Sequence, residues 1–118
     1  MTISVLLCSF NPRRAFLERT FDALRAQTLS ATEWELVLVD NNSRPPLASW
    51  IDLGGFRDAR ILVEMEQGFT PALIRGVKEA SGAVCVLVHD DNLLAPDYLA
   101  HVARFARDWP QLGAWGGH

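Results

Sequence analysis

The chain has 118 residues, of which 49% are hydrophobic and 21% are charged, and its formal net charge at pH 7 is −3. This balance is typical of a folded globular protein and excludes a disordered chain. The small negative charge and the scattered basic residues also exclude the basic surface of a nucleic-acid-binding protein. We therefore expect one small domain, or a piece of one, with no nucleic-acid partner.

The two cysteines, Cys8 and Cys85, lie in apolar runs and are too far apart in the sequence for a redox or metal-binding pair. We interpret both as buried, reduced thiols, which indicates a reducing compartment. No apolar run approaches the ~18 residues of a membrane span, and Met1 leads almost directly into a strand instead of a signal peptide. We expect a cytoplasmic protein, either free or bound peripherally at the inner face of the membrane.

Strands and helices alternate along the first half of the chain. Apolar runs predict a strand over Ile3–Cys8 and a second strand over Trp34–Val39. Asn11 and the proline after it form the pattern of an N-cap followed by a first-turn proline, and apolar residues at helical spacing continue to about Gln27. A short helix is expected within Leu47–Leu53, ahead of two glycines.

The same alternation continues in the second half. Thr70 followed by Pro71 repeats the cap-and-proline pattern, and Pro96 is expected at the first position of a later helix. The predicted elements of this half are a strand over Arg60–Met65, a helix over Ala72–Ala80, a strand over Val84–Val88, a helix over Pro96–Trp109 and the start of a fifth strand at Gly113–Gly117.

This alternation predicts an α/β fold with a mainly parallel sheet and helices on both faces. The unbroken apolar run Val84–Val88 is typical of a strand buried on both faces. Ligands of such sheets bind beyond the carboxyl ends of the strands. Asp90 and Asp91 are adjacent carboxylates at this position, and grouping them is unfavourable unless a cation, a sugar hydroxyl or another hydrogen-bond donor binds to them. The candidate site is therefore this edge, where three polar segments are expected: Ser9–Asn11, Asp40–Ser43 and His89–Asn92.

Three segments resemble sequence signatures of family 2 glycosyltransferases, which have the GT-A fold. Val5–Asn11 is similar to the opening strand with its Thr/Ser-Tyr-Asn ending, and Val37–Ser43 is similar to the second-strand signature Val-Asp-Asp/Asn-Gly/Asn-Ser. Gly82–Leu99 is similar to the segment that contains the acidic metal-binding motif. These matches occur in the right order over nearly the whole chain. The chain thus resembles the amino-terminal, nucleotide-sugar-binding half of such an enzyme, with a Rossmann-like GT-A half-domain.

The resemblance implies an inverting transfer of a sugar from a UDP-, GDP- or dTDP-sugar to a hydroxyl acceptor, assisted by Mg²⁺ or Mn²⁺. Such an ion neutralises the departing diphosphate and prefers hard oxygen ligands. Family members continue beyond this length with the acceptor pocket and the general base, so we expect residues 1–118 to be a single, truncated domain without a catalytic base. By position, Ser9 and Asn11 would lie beside the base and ribose, Asp40 and Asn41 at the base edge, Asp90 at the ribose or diphosphate, and Asp91 on the cation.

The sequence departs from the family pattern inside these motifs. His89 stands at the first acidic position of the Asp-X-Asp pattern, and Asn41 replaces the second acid of the second-strand signature. The helical Arg-Asn pair that often touches the base appears as Leu73 and Ile74. Arg75 lies roughly 200° around the helix from the arginine position and is a poor substitute. We expect these changes to affect nucleotide affinity and base preference.

Other interpretations of the same residues stay open. Asp90 and Asp91 could cap the helix near Pro96 from a solvated loop, and Asp40–Ser43 could be a plain turn. The chain could also be an inactive half-domain that acts as an interaction module and self-associates through the unfinished sheet edge. A receiver-like domain is set aside because no acidic pair follows the first strand and the only lysine is Lys78. A dinucleotide-binding fold is set aside because no glycine-rich turn follows that strand.

Overall fold

A computed structural model describes residues 3–90 and 92–108 of the chain. Within these ranges strands alternate with helices, and a turn of 3₁₀ helix follows the second strand. The elements are β1 (Ile3–Ser9), α1 (Arg14–Arg25), β2 (Trp34–Asp40), the 3₁₀ turn (Leu47–Ser49), β3 (Ala59–Val63), α2 (Phe69–Glu79), β4 (Val84–Val88) and α3 (Tyr98–Asp108). The predicted α/β fold is confirmed.

The four described strands form one sheet in the order β3-β2-β1-β4, and every neighbouring pair is parallel. Ile3 at the start of β1 lies opposite Trp34 of β2 and Val84 of β4. Parallel neighbours require crossover connections: α1 lies in the connection from β1 to β2, the 3₁₀ turn in that from β2 to β3, and α2 in that from β3 to β4. The carboxyl ends of β1, β2 and β4 therefore share one edge of the sheet, as the sequence predicted.

Helices cover both faces of the sheet. α1 and α3 pack on one face, where Val5 belongs to the same buried cluster as Phe21 and Leu99. α2 packs on the other face, where Ala72 meets Leu6. Successive residues of a strand point to opposite faces, so β1 supplies side chains to both clusters. β2, which lies between two neighbouring strands and under both layers, is buried along its whole length.

The start of α1 differs from the prediction. The helix begins at Arg14, and the side chain of the preceding Arg13 makes no capping hydrogen bond. Asn11 is not the cap, because it lies in the left-handed region with a φ of 43°. Its Oδ1 accepts a hydrogen bond from the backbone N–H of Arg44 at 2.8 Å. Asparagine suits both a turn and a cap, and here its side chain joins two loops at the edge of the sheet.

α2 and α3 also start at other residues than predicted. α2 begins at Phe69, directly after Gly68, so Thr70 and Pro71 lie inside its first turn. Proline is tolerated there because the first N–H groups of a helix have no partner within the helix. α3 begins at Tyr98, after Pro96. The cap-and-proline pattern thus located both helices but not their first residues.

β4 is less buried than its unbroken apolar run predicts. Val86 and Val88 are buried on the face covered by α1 and α3, whereas Cys85 and Leu87 on the opposite face are exposed, Leu87 to 46%. α2 packs mainly over β1 and β2, and β4 is an edge strand of the described sheet. The prediction of burial on both faces was therefore wrong, as was the prediction that both thiols are buried, since Cys8 is only partly covered.

The described helices have 11 or 12 residues, and none of them combines the length and apolar character that a membrane-spanning helix requires. The 3₁₀ turn falls inside the segment where a short helix was predicted. The predicted helix end at Trp109 and the predicted fifth strand at Gly113–Gly117 lie outside the described residues, and so does the predicted metal ligand Asp91.

Candidate functional site

The three polar segments meet at the carboxyl edge of the sheet. Ser9 at the end of β1 donates a hydrogen bond from its hydroxyl to Oδ2 of Asp90, which follows β4, at 3.0 Å. The backbone carbonyl of Ser9 accepts the N–H of Asn41 at 2.8 Å. The backbone N–H of Asn11 donates to Oγ of Ser43 at 2.9 Å. The predicted gathering of these segments is confirmed, and Ser9 lies at its centre.

Asp40 shapes the loop that follows β2. Its Oδ1 accepts the backbone N–H of Ser43 at 2.8 Å, and its Oδ2 accepts the backbone N–H of Leu47 at 2.9 Å. The residue is only 1% exposed, and Asn42 within the loop has a φ of 65°. These contacts are those of an aspartate-stabilised turn, the alternative that the sequence left open. A contact of Asp40 with a nucleotide base stays a prediction.

Asn41 joins the end of β2 to the start of α2. Its Nδ2 donates to the carbonyl oxygens of Glu64 at 2.9 Å and Glu66 at 2.7 Å, and its Oδ1 accepts the N–H of Gly68 at 2.9 Å. Its own carbonyl accepts Nε2 of Gln67 at 2.9 Å. Both side-chain donors are thus used, while a carbonyl oxygen with one hydrogen bond keeps a second lone pair. The side-chain oxygen is the part of Asn41 that could still accept from a ligand.

An open cleft of about 330 Å³ lies beside this network. Two aromatic rings on it, Phe10 and Phe69, are about half exposed, at 49% and 52%. Aromatic faces beside a few polar groups can accept a planar, partly polar ligand. Burial raises the pKa of the Cys8 thiol, so this group lines the cleft in its neutral form. The lining residues are Cys8, Ser9, Phe10, Asn41, Gln67, Gly68, Phe69 and Ala72.

Two hydrogen bonds join His89 and Asn92, the first and last residues of the acidic tip that follows β4. The backbone N–H of Asn92 donates to the carbonyl of His89 at 3.1 Å, and the N–H of His89 donates to Oδ1 of Asn92 at 2.8 Å. The ring of His89 is exposed and lies 6.3 Å from the ring of Phe69 at the mouth of the cleft. The two reciprocal hydrogen bonds hold His89 and Asn92 close to each other.

Several residues of this edge escaped the sequence analysis. Gln67 and Phe69 line the cleft, and Thr20 of α1 contacts the backbone of the acidic tip. For Gln67 and Phe69 the sequence carried a usable signal, namely a glycine between them shortly before a helix start. Gly68 has a φ of 130°, which other residues rarely adopt, and this explains why a glycine occupies the position. A threonine inside an amphipathic helix carried no such signal.

The helical positions that depart from the family pattern do not line the cleft. Leu73 packs against the α2-side core, and Ile74 is 49% exposed. Nε of Arg75 lies 3.8 Å from a carboxylate oxygen of Glu79 on the same helix. This geometry agrees with the expectation that Arg75 is a poor substitute for a base-contacting arginine.

The donor atoms at this edge are of the kind that Mg²⁺ and Mn²⁺ prefer. Asp90 offers a carboxylate and Ser9 a hydroxyl, and both ions favour hard oxygen ligands while keeping several waters. Within residues 3–90 and 92–108, no cluster of three or more His, Cys, Asp or Glu side chains could hold a metal by itself. The described part of this edge therefore has oxygen donors of the kind that such an ion prefers, but it has no closed metal cage.

In an open, all-parallel α/β sheet, ligands bind in the crevice beyond the carboxyl ends of the strands, where this cleft lies. The sequence profile of glycosyl transferase family 2 matches residues 4–117. The chain therefore belongs to glycosyl transferase family 2, and its fold is GT-A, as the sequence resemblance indicated. A search of curated proteins finds no significant match.

Solved structures share this fold at low sequence identity. S. aureus TarS 1-349 in complex with UDP-GlcNAc is 19% identical, with a TM-score of 0.75 over 92% of this chain and 32% of that chain. Mannosyltransferase PcManGT from Pyrobaculum calidifontis, in complex with GDP-Man and Mn²⁺, is 24% identical, with a TM-score of 0.76 over 88% and 32%. Rv0371c from Mycobacterium tuberculosis H37Rv is 17% identical, with a TM-score of 0.57 over 92% and 60%. The chain thus spans about a third of the first two proteins.

Proposed function

We propose that this chain is the nucleotide-sugar-binding part of an inverting glycosyltransferase that transfers a sugar from a UDP-, GDP- or dTDP-sugar to a hydroxyl acceptor. The observation that carries the proposal is the cleft beside Ser9, Asn41 and Asp90, at the carboxyl ends of the strands. Family membership and the nucleotide sugars bound by TarS and PcManGT support the class of ligand.

In this proposal the base enters the cleft between the aromatic rings of Phe10 and Phe69. Asn41 lines this cleft and is 5% exposed, whereas Asp40 is 1% exposed and holds its loop with both oxygens. Oδ1 of Asn41 therefore accepts a base N–H more readily than the carboxylate of Asp40 does. Asn11 acts indirectly, because its side chain fixes the loop around Arg44.

Asp90 and Ser9 serve the ribose and the diphosphate. The Ser9 hydroxyl orients the Asp90 carboxylate, whose other lone pairs can accept sugar hydroxyls. We assign a divalent cation, Mg²⁺ or Mn²⁺, to Asp91, the residue after Asp90. When bound, such an ion neutralises negative charge on the departing diphosphate.

Calorimetric titration tests this proposal. UDP, GDP and dTDP are titrated into the protein with and without Mn²⁺, and the titrations are repeated with Asp91→Ala and with Asp108→Ala, which removes an exposed carboxylate at the end of α3. We expect metal-dependent binding of at least one nucleotide, lost in Asp91→Ala and kept in Asp108→Ala. No heat from a folded protein with any of the three nucleotides would overturn the proposal.

A second candidate function, an interaction module, is favoured by the bare face of β4. Cys85 and Leu87 are exposed on β4, which is an edge strand among the strands that the structure describes, and Val77 of α2 is 50% exposed. In this alternative a second copy of the chain pairs along β4 and covers Leu87. The exposed thiol of Cys85 suits a reducing compartment, in keeping with the cytoplasmic location that we propose.

Sedimentation velocity separates this alternative from the first proposal. We expect Leu87→Asp to abolish any concentration-dependent dimer, because a charge on the covered face opposes pairing. Leu93→Asp is the matched control, since Leu93 is 67% exposed and lies outside the strands. A wild-type protein that stays monomeric at all concentrations would remove the alternative.

A further inference from the structure

We propose that Thr20 of α1 is a positioning residue, which holds the acidic tip His89–Asn92 in place and thereby sets the affinity for the nucleotide. The inference rests on the proposed function and adds a residue to it. Thr20 is completely buried, and its Oγ1 lies 2.8 Å from the carbonyl oxygen of Asn92 and 3.1 Å from the carbonyl oxygen of Asp90. One side chain of the helix layer thus contacts the backbone at two residues of the tip.

The donor capacity of the hydroxyl decides which contact is strongest. Oγ1 also lies 3.1 Å from the carbonyl oxygen of Phe16, the usual partner of a threonine inside a helix. A hydroxyl has a single hydrogen, so it donates fully to one acceptor at a time. The shortest of the three distances, 2.8 Å, favours Asn92. The local helical partner is thus available, but the geometry favours the tip.

The contacts of Thr20 also restrain the position of the Asp90 carboxylate. Two hydrogen bonds join His89 and Asn92, and Thr20 contacts the carbonyls of both Asn92 and Asp90, so the hydroxyl of Thr20 restrains the position of Asp90. Within that segment the Asp90 carboxylate meets the hydroxyl of Ser9 at 3.0 Å, beside the cleft. A continuous set of contacts therefore runs from α1 to the edge of the site. Small errors in the position of a binding group are costly, so we expect a loss of this anchor to weaken nucleotide binding.

The chemical nature of the buried side chain distinguishes positioning from packing. Leu17, Phe21 and Leu24 already anchor α1 in the core, and a valine at position 20 would fill nearly the same volume as threonine. A buried hydroxyl is unfavourable unless it is hydrogen-bonded, so its presence needs a partner that uses it. The Phe16 carbonyl is within reach at 3.1 Å, but the shorter distance of 2.8 Å to the Asn92 carbonyl makes the backbone of the acidic tip the favoured partner.

The test compares Thr20→Val and Thr20→Ser with Ser4→Ala. Ser4 is equally buried, and its hydroxyl donates to Glu35 at the other end of the sheet, so its removal controls for general loss of stability. The affinity for UDP with Mn²⁺ is measured by calorimetry and the melting temperature by circular dichroism. GDP or dTDP replaces UDP if the wild-type protein binds it more tightly.

We expect Thr20→Val to raise the Kd of the nucleotide about tenfold, while Thr20→Ser restores it to within about twofold. Thr20→Val should lower Tm by about 5 °C, the effect of one lost buried hydrogen bond in a domain of this size. Ser4→Ala should lower Tm at least as much, because it removes both the hydrogen bond to Glu35 and the one from the N–H of Gly82. Ser4→Ala should leave the Kd unchanged.

Two results overturn the inference alone: wild-type affinity in Thr20→Val, or an equal loss of affinity in Ser4→Ala. A folded wild-type protein that binds none of the nucleotides overturns the proposed function and this inference together, so the two failures are distinguishable.

Discussion

The polar groups at the two ends of the sheet differ in how far they are available to a ligand. At the amino end, Glu35 of β2 is 1% exposed, and its Oε2 accepts the hydroxyl of Ser4 at 2.5 Å and the N–H of Ser81 at 2.7 Å. Its Oε1 accepts Nη1 of Arg60 at 2.9 Å. The hydroxyl of Ser4 in turn accepts the N–H of Gly82 at 2.8 Å. We name this set, Ser4, Glu35, Arg60, Ser81 and Gly82, the amino-end network.

The charge of Glu35 is held by its partners. Burial on its own would raise the pKa of Glu35, but the hydrogen bonds from Ser4 and Ser81 and the charge of Arg60 outweigh burial and lower this pKa below its ordinary value of 4.5. Arg60 also donates to the carbonyl of Glu79, so it ties β3 to the end of α2. A buried carboxylate with these partners stabilises the fold, and at 1% exposure it is itself shielded from any ligand.

The carboxyl end has the opposite character. Ser9, Asn41 and Asp90 also form hydrogen bonds with one another or with the backbone, but they lie beside an open cleft with half-exposed aromatic rings. Polar groups next to buried strands can therefore either hydrogen-bond to one another in a buried network or lie beside a cleft where a ligand can reach them. The comparison teaches that changes at the amino end should alter stability without altering binding, and that changes at the carboxyl end should mainly alter binding.

The largest expected effect comes from breaking the amino-end network at its centre. Glu35→Ala leaves Arg60 and the N–H of Ser81 without their shared acceptor, and we expect it to lower the free energy of unfolding by about 3 kcal/mol. Urea denaturation measures this loss. Glu18→Ala, which removes an exposed ion pair with Arg14, should cost no more than about 0.5 kcal/mol. Equal losses in the two variants would contradict the role of the network.

A smaller loss is expected where β4 enters the sheet. A Cβ at Gly82 would lie 2.7 Å from the backbone of both Ile3 and Ser4, so Gly82→Ala requires β1 or the loop to move. We expect a loss of about 2 kcal/mol in the free energy of unfolding. At Gly54 the nearest atom is an oxygen at the end of the flexible Asp52 side chain, and Gly54→Ala should be nearly neutral in the same denaturation experiment. Similar stabilities of Gly82→Ala and Gly54→Ala would refute the close approach of position 82 to the backbone of β1.

The charge of Glu35 predicts a dependence of stability on pH. Because its pKa is lower in the folded state than the 4.5 of the unfolded state, the ionised carboxylate contributes stability above pH 4.5 that is lost as the pH falls through the folded pKa. The free-energy difference between the wild-type protein and Glu35→Gln should therefore shrink as the pH falls below 4.5 and through the folded pKa. Urea denaturation at several pH values measures it. A difference that does not change with pH would show that the charge contributes nothing.

The smallest stability effect is expected at the carboxyl end. Ser9→Ala removes the hydrogen bond to Asp90, and we expect a loss of no more than about 1 kcal/mol in the free energy of unfolding. The affinity for the nucleotide should fall about fivefold, because the Asp90 carboxylate is no longer oriented. Ser49→Ala, which removes an exposed hydroxyl in the 3₁₀ turn, serves as the control for calorimetry. A stability loss as large as that of Glu35→Ala, with unchanged affinity, would reverse the comparison.

The fold was largely predictable from the sequence, because the alternation of apolar runs and helical patterns decides the class of sheet and the edge at which the loops meet. The helix starts were less predictable, since Asn11 suits both a cap and a left-handed turn and only the position of Arg44 decides between them. The exposure of Leu87 could not be predicted either. A five-residue apolar run occurs both in central strands and in edge strands that no helix fully covers, so the run alone does not distinguish them.

The candidate site was predictable in its location but not in its contacts. Ser9 and Asp90 were predicted to follow strands that end at the same edge of the sheet, and the structure joins them. Three contacts depend on packing between distant elements: the hydroxyl of Thr20 on the acidic tip, the carboxamide of Gln67 on Asn41 and the burial of Glu35. Their sequence separations are large, and single-residue patterns carry no information about which long-range partner is chosen.

The most direct test of the central claim is a ¹H–¹⁵N NMR titration of the protein with UDP in the presence of Mg²⁺. The amide signals of Ser9, Asn41 and Gly68 should shift with UDP concentration, while those of Ser4, Glu35 and Gly82 should stay in place. This result would locate the nucleotide at the carboxyl end of the sheet. Shifts confined to the amino-end network, or no shifts in a folded protein, would contradict the claim that the cleft beside Ser9 is the nucleotide site.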